Sequence, residues 1–267
     1  YWSEVGEVAF GGWDNVDLPR IIDLRWRVDR TRKLPAILIS MARGRPTREQ
    51  AEYLRHLRVA LLAAAQVAGK DRAGPPVLLE SSKHLSTAAL LSLDPSLDVR
   101  VLHLVRDPRG VAYSWTKAVA RPEAKDDDAG AMMPMYRPSR TAVRWLTDNL
   151  GFLLLARIGV PSQVLRYEDA LQRPAESLRA LANLMGVGPD PGDGSARPYP
   201  LPFLDGVQAH VEQPMHSIAG NPVRFGGDDI VLELDDAWQT KFRRRDQRLV
   251  AAIGAPLMVL FGYRIKN

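Results

Sequence analysis

The chain of 267 residues predicts an α/β fold, in which a largely parallel sheet is flanked by helices in three layers. Two observations support this fold class. Short apolar runs typical of buried strands alternate along the chain with longer amphipathic segments typical of helices. Capping residues, glycines and prolines separate these segments. The length suits one sizeable domain or two small ones, and we interpret residues 1–267 as a single domain.

The first elements are predicted from their boundaries. Residues 17–32 form a helix, because Asp17 can cap it and Pro19 fits its first turn. Residues 36–39 are a short apolar run, and their periodicity does not separate a strand from a buried loop. The sequence therefore predicts a helix followed by a short buried segment.

A second helix and two strands come next. Thr47 and Gln50 form a capping box, which opens a helix over residues 47–68. Residues 77–80 and 99–105 are short apolar runs bounded by turn residues, and each predicts a buried strand. These strands are expected to lie in the parallel sheet.

The C-terminal half continues the alternation. Residues 139–158 and 174–185 predict helices, and residues 164–167 predict a strand between them. Residues 235–261 predict a last helix that Pro256 kinks or splits. The stretches between these elements are polar or rich in Pro and Gly and predict loops, the first of them a mobile surface loop or lid: 121–136 and 189–202.

Composition narrows the function classes. The net charge of +5 fits a polyanionic nucleotide ligand as well as it fits nucleic acid. The chain has no Cys, which excludes disulfides and thiolate metal sites and is compatible with the cytoplasm. No apolar run is long enough to span a bilayer, and the abundance of Arg, Ala, Gly and Pro is typical of a GC-rich bacterial genome.

The most informative motif is the segment 106–115, which directly follows the strand over residues 99–105. Arg106 lies at the carboxyl end of that strand, and Ser114 lies about two turns into the next helix. Anionic ligands bind at this edge of a parallel sheet. Arg offers a planar charged fork to phosphate oxygens, and a hydroxyl adds a donor. The alternative interpretation is that Arg and Asp simply pair where the helix begins.

This segment resembles the 3'-phosphate-binding element of sulfotransferases that use 3'-phosphoadenosine 5'-phosphosulfate (PAPS), including bacterial members of that family. The resemblance implies a P-loop-NTPase-like fold. It also implies that Arg106 and Ser114 hold the 3'-phosphate of PAPS or of its product, 3'-phosphoadenosine 5'-phosphate (PAP).

Residues 80–84 resemble the Ser-Lys element of the same family. The resemblance implies that Ser82 and Lys83 lie close to the sulfonate, where Lys83 stabilises the bridging oxygen as the sulfuryl group leaves. Two groups can take the proton of the acceptor. His84 has an ordinary pKa near neutrality but follows the Lys one residue sooner than in cytosolic members, and Glu80 is the competing base.

Two further segments extend the resemblance. Tyr167 begins a Tyr-Glu-Asp run, and the family places the equivalent ring against the adenine. Residues 216–225 resemble a late loop that closes over the 3'-phosphate. There, Gly220 permits unusual backbone angles, Arg224 offers a second fork, and Asn221 lies between them.

One element of the family has no counterpart in this sequence. The Gly- and Ser-rich loop for the 5'-phosphosulfate is not found, and the nearest basic glycine element, residues 42–47, does not match its spacing. We expect the sequence to begin downstream of the first strand and that loop. An inactive homologue is the alternative.

The resemblance implies a metal-independent enzyme that moves a sulfuryl group from PAPS to a hydroxyl of a small molecule or carbohydrate. It implies no nucleic-acid or membrane partner and is compatible with a homodimer. A P-loop nucleotide kinase or NTPase-like enzyme is the alternative, although no Lys-Ser/Thr loop or Mg²⁺-holding Asp is evident. A nucleic-acid-binding module is disfavoured, since the most compact basic run, 243–245, fits a solvated helix face.

Overall fold

The computed structural model describes residues 1–69, 77–81, 84–120, 132–186, 200–210 and 229–265. The chain divides into two compact units, which are Tyr1–Val101 with Leu155–Pro161, and Leu102–Leu154 with Ser162–Asn267. The single-domain interpretation of residues 1–267 stays a prediction.

The first unit is helical in its described residues. Its helices are α1 (Trp2–Phe10), α2 (Leu18–Val28), α3 (Leu34–Ala42), α4 (Arg48–Ala68) and α5 (Leu85–Leu91). Helix α4 packs against both α1 and α2, and α3 packs against α5. The largest side chains fully buried in this unit are Leu24, Ile37, Leu85, Leu90 and Leu155.

Two predicted helix starts in this unit are confirmed. The Asp17 side chain accepts a hydrogen bond from the backbone N–H of Arg20 (3.0 Å) and so caps α2. Thr47 and Gln50 form the reciprocal capping box at the start of α4. In both cases a polar side chain at the N-cap position determines where the helix begins.

Two expectations for this unit are wrong. Residues 36–39 lie within α3, because Pro35 fits the first turn of that helix, and Ile37 and Ser40 are buried at helical spacing. Residues 77–80 form no strand: they are irregular and exposed. An apolar run becomes a strand only beside a partner, and the described residues provide none here.

The second unit carries the strands. Strands β1 (Val101–Val105) and β2 (Ser162–Arg166) form a small parallel sheet, and β3 (Leu204–Asp205), β4 (Gln208–His210) and β5 (Asp229–Val231) form an antiparallel sheet. The helices are α6 (Pro108–Ser114), α7 (Pro138–Arg157), α8 (Tyr167–Gln172), α9 (Pro174–Met185), α10 (Trp238–Lys241) and α11 (Arg244–Leu260). The mixed α/β class is thus confirmed, whereas the three-layer, largely parallel sheet stays a prediction.

The predicted C-terminal helix breaks at a different place from the one expected. Phe242 and Arg243 are extended and separate α10 from α11, while Pro256 lies inside α11. The break is held by Gln247, whose side-chain amide donates to the carbonyl of Phe242 (2.9 Å). Because that amide satisfies a carbonyl left by α10, the chain can turn here.

The core of this unit forms where β1 meets α7 and α11. Val105, Trp145, Met258, Phe261 and Tyr263 belong to one buried cluster. The indole N–H of Trp145 donates to the carbonyl of the residue after β1, at 3.0 Å. The carboxyl end of β1 is therefore fixed against α7 by a specific hydrogen bond as well as by apolar packing.

Candidate active site

Arg106 lies directly after β1, and three other residues hold it. Its carbonyl accepts from Trp145, and its Nη2 donates to the backbone oxygen (2.7 Å) and to Oδ2 (3.1 Å) of Asp235. Its Cζ lies 4.6 Å from the ring centroid of Tyr167. The side chain still keeps 20% exposure, so a ligand can reach the guanidinium.

The contact with Tyr167 joins two residues that separate motifs predicted. Tyr167 follows β2 directly and begins α8, so it is not the last residue of a strand as expected. Because β1 and β2 are parallel, their carboxyl ends lie at the same edge of the sheet. That edge therefore carries a cation and an aromatic ring in contact.

The alternative interpretation of this segment, an Arg–Asp pair where the helix begins, is observed for a neighbouring arginine. Asp107 does pair with an arginine at the start of α6, but the partner is Arg109. Oδ1 of Asp107 accepts from the Arg109 backbone N–H (2.9 Å) and Nε (3.0 Å), and Oδ2 accepts from Nη2 (2.7 Å). Both side chains are buried. Asp107 thus pairs with Arg109, whereas Arg106 pairs with Asp235 and stays partly exposed.

Gly110 makes room for the Arg106 side chain. A Cβ at this position would lie 3.2 Å from Nε of Arg106 and 3.1 Å from Cδ1 of Trp238. Both distances are tighter than ordinary carbon contacts, so a larger residue would press on the guanidinium. A side chain here would require Arg106 or Trp238 to shift by a few tenths of an ångström.

Ser114 is the last residue of α6 and is exposed. Its carbonyl accepts from the backbone N–H of Lys117 (3.2 Å). Arg106 precedes α6 and Ser114 ends it, and in the described part of the chain no hydrogen bond joins their side chains. A shared phosphate ligand for the two residues stays a prediction.

Two charged residues at this site were missed from the sequence. Nζ of Lys117 lies 3.8 Å from Oδ2 of Asp235 and 4.6 Å from the ring of Tyr113. Burial opposes ionisation of Asp235, but the hydrogen bond from Arg106 and the positive charges of Arg106 and Lys117 outweigh it. The pKa of Asp235 is therefore lowered. Lys117 could have been identified from the sequence, because it follows Ser114 by only three residues.

The carboxylate of Glu168, which follows β2, makes hydrogen bonds near the carboxyl end of β1. Its Oε1 accepts from the backbone N–H of Asp107 (3.1 Å), and its Oε2 lies 2.6 Å from the hydroxyl of Tyr263. That hydroxyl is also 3.1 Å from the carbonyl of Val105, and its single proton serves one acceptor at a time. Burial, followed by the hydrogen bond to Glu168 and its charge, raises the pKa of Tyr263, so the phenol stays protonated as a donor.

The two candidate bases lie in the first unit. Glu80 belongs to the irregular segment before α5 and is exposed, and His84 is the N-cap residue of α5 and is half-buried. The remaining predicted site residues lie outside the described residues: Ser82, Lys83, Gly220, Asn221 and Arg224.

A separate cleft of about 570 Å³ lies in the second unit beside β2, α9 and α11. Val164, Leu260 and Phe261 contribute apolar surface, and Arg166 and Arg173 contribute positive charge. None of the predicted site residues lines it, so it is distinct from the Arg106 site.

Metal-binding and membrane-spanning features were searched for in the described ranges. Within them, no three His, Cys, Asp or Glu side chains are grouped as a metal site would require. None of the helices in those ranges combines the length and the apolar character needed to cross a membrane. Independence from metal and from membranes stays a prediction.

Comparison with known proteins finds similarity to one kind of enzyme. Human carbohydrate sulfotransferase 3 is 26% identical over 185 residues, which cover 66% of this chain and 36% of that protein. The mouse protein is 24% identical over 183 residues, with 64% and 35% covered. The chain thus matches only about a third of the length of these relatives. No protein-family model matches the chain. The similarity is to sulfotransferases and extends over part of each of them.

Proposed function

We propose that the chain belongs to a PAPS-dependent sulfotransferase that transfers a sulfuryl group to a carbohydrate hydroxyl. The observation that carries this proposal is the contact between Arg106 and Tyr167 at adjacent strand ends. A phosphate-binding cation beside an aromatic ring suits a nucleotide that carries a phosphate on its ribose. The name of the similar relatives supports a carbohydrate acceptor.

On the donor side, Arg106 binds the 3'-phosphate, and Ser114 and Lys117 add a hydroxyl and a second charge. Tyr167 lies against the adenine. One nitrogen of the Arg106 guanidinium donates to Asp235. The incoming phosphate displaces the carboxylate of Asp235, while the backbone carbonyl at 2.7 Å keeps the arginine in place. Arg224, Gly220 and Asn221 would close the site from the late loop.

The reaction itself is a displacement at sulfur. The acceptor oxygen forms a bond to sulfur as the bond from sulfur to the 5'-phosphate oxygen breaks, and PAP leaves. His84 or Glu80 takes the acceptor proton, Lys83 neutralises the charge that develops on the leaving oxygen, and Ser82 donates to the sulfonate. No step needs a metal. Location in the cytoplasm and bacterial origin are part of the same proposal.

Binding of PAP tests the donor site directly. PAP should raise the melting temperature of the 267-residue chain and bind at least tenfold more tightly than 5'-AMP, which lacks the 3'-phosphate. Equal affinity for the two nucleotides, measured by calorimetry, would remove the 3'-phosphate site.

Transfer is then measured with radiolabelled PAPS and a panel of neutral and acidic oligosaccharides and phenols. Label on a carbohydrate is the expected result. Tight binding of PAP without transfer to any acceptor, also after the chain is extended to include the 5'-phosphosulfate loop, would identify an inactive homologue. Hydrolysis or transfer of the γ-phosphate of ATP would favour the kinase or NTPase-like alternative.

A further inference from the structure

Asp29 is a buried carboxylate at the carboxyl end of α2, only 6% exposed. Three hydroxyls from two other helices surround it. The hydroxyl of Tyr53 on α4 donates to it at 3.2 Å, that of Ser86 on α5 at 2.6 Å, and that of Thr87 on α5 at 2.9 Å. No Lys, Arg or His in the described ranges pairs with Asp29. The hydrogen bonds from the three hydroxyls therefore offset part of the free-energy cost of burying this carboxylate.

The cluster holds the start of α5, where the proposed catalytic segment ends. Ser86 and Thr87 follow His84 by two and three residues, and His84 is the N-cap of that helix. Burial is the main cause that raises the pKa of Tyr53, and Asp29 adds to it. His84 therefore directly precedes the turn of α5 that Asp29 organises.

We infer that Asp29 is a positioning residue for the transfer reaction, because its bonds to Ser86 and Thr87 fix where α5 begins and where His84 is presented. This inference rests on the proposed function and deepens it. A displacement of a reacting group by about 1 Å costs on the order of 100-fold in rate. A carboxylate that touches no reacting atom can thus control turnover through the helix it holds.

Variants of the hydroxyls test this role without removing the buried charge. Thr87→Val keeps the shape of the side chain but loses the donor, and Thr87→Ser keeps the donor. Ser86→Ala has a matched control in Ser40→Ala, since the Ser40 hydroxyl is also buried and donates to Gln50 at 2.7 Å, within the α3–α4 contact. Each Ser→Ala change therefore removes one buried hydroxyl donor, and the bond of Ser86 to a carboxylate is the stronger of the two.

We expect Thr87→Val and Ser86→Ala to lower kcat at least tenfold, measured well below their melting temperatures. The dissociation constant of PAP should stay within twofold, because the donor site is untouched. Thr87→Ser and Ser40→Ala should keep kcat within twofold of wild type. Wild-type kcat in Thr87→Val, or equal losses in Ser40→Ala and Ser86→Ala, would overturn the inference.

A second readout separates this inference from the proposed function. If the chain, extended to include the 5'-phosphosulfate loop, transfers no sulfuryl group, the proposed function fails before any variant is made. The ring signals of His84 in NMR spectra, assigned with His84→Gln, then report its placement directly. They should shift or broaden in Thr87→Val and stay unchanged in Thr87→Ser and Ser40→Ala. Identical His84 signals in Thr87→Val and wild type would overturn the positioning role, with or without activity.

Discussion

Arg109 and Arg106 belong to the same turn after β1, yet their surroundings differ. The Arg109 side chain is 5% exposed, and both oxygens of Asp107 accept from it. The Arg106 side chain is 20% exposed, and only its Nη2 binds Asp235. A buried pair leaves no alternative partner, whereas an accessible cation can exchange one anion for another. The same residue type is therefore structural in one place and suited to a ligand in the other.

Aromatic contact does not account for the difference. Arg109 lies 4.5 Å from the ring of Trp238, and Arg106 lies 4.6 Å from the ring of Tyr167. Both arginines thus stack on an aromatic ring at nearly the same distance. What separates them is the accessibility of the guanidinium and the number of carboxylate oxygens bound to it.

The largest expected effect comes from Arg109→Met. This change leaves the carboxylate of Asp107 buried without its cation, which costs about 3–5 kcal/mol of folding stability. Urea unfolding should show this loss. Adding Asp107→Asn should recover part of it, because Asn keeps the cap of α6 and carries no charge. A stability close to wild type in the single variant would contradict the distinction between the two arginines.

Arg106→Ala tests the ligand-facing member of the pair. Loss of charge-assisted bonds to the 3'-phosphate should weaken PAP binding by ~1–3 kcal/mol, roughly 5- to 150-fold, while the unfolding free energy changes little. Arg100→Ala is the matched control, because Arg100 is exposed and pairs with Asp98 at 2.8 Å. Calorimetry should find its affinity for PAP within twofold of wild type. Equal losses in the two variants would indicate a nonspecific charge effect.

His103 is a buried titratable residue within β1, the strand that precedes both arginines. Its Nε2 lies 2.7 Å from Oδ1 of Asn149, and burial lowers its pKa, although that hydrogen bond opposes the shift. The unfolded chain therefore binds a proton more readily than the folded chain. Stability is retained above about pH 6.5 and falls as the pH drops below it, by at most ~1.4 kcal/mol per pH unit.

His103→Gln should make that slope shallower, since Gln keeps a donor for Asn149 and does not titrate. Urea unfolding at pH 5 and pH 7.5 measures the change. An unaltered slope would mean that His103 does not contribute to the acid sensitivity of the fold.

The smallest expected effect is that of Asp235→Asn. The lowered pKa keeps Asp235 ionised at neutral pH, so it competes with the 3'-phosphate for Arg106. Its removal should tighten PAP binding two- to fivefold, or ~0.4–1 kcal/mol, in line with a partly exposed ion pair. Asp236→Asn, at the exposed neighbouring position, should leave the affinity unchanged. Weaker binding in Asp235→Asn would show that the carboxylate orients Arg106 and does not compete for it.

Features fixed by neighbouring residues could be predicted from the sequence. The path from β1 into α6 depends on Pro108 and on the Asp107 cap, which are adjacent in the chain. Residues 36–39 were expected to be a strand or a buried loop, and the helix was missed because a short apolar run also suits a helical segment. Residues 77–80 were wrongly predicted as a strand, because an apolar run does not show whether a partner strand lies beside it.

The candidate site was predictable only in part for the same reason. Arg106 was identified because it follows a strand, and Tyr167 because it begins a Tyr-Glu-Asp run at the end of a predicted strand. Asp235 was missed because it is 129 positions from Arg106 and follows no recognisable motif. The buried bond between Asp29 and Ser86 spans 57 positions and was likewise beyond local pattern analysis.

The ion pair between Arg106 and Asp235 has a consequence for ionic strength. When a phosphate replaces this carboxylate, Arg106 exchanges one ionic partner for another. The net gain in charge–charge contacts that salt can screen is therefore smaller than the formal charge of the ligand suggests. Affinity for PAP should therefore fall less steeply with added salt than a count of the basic groups around the nucleotide would indicate.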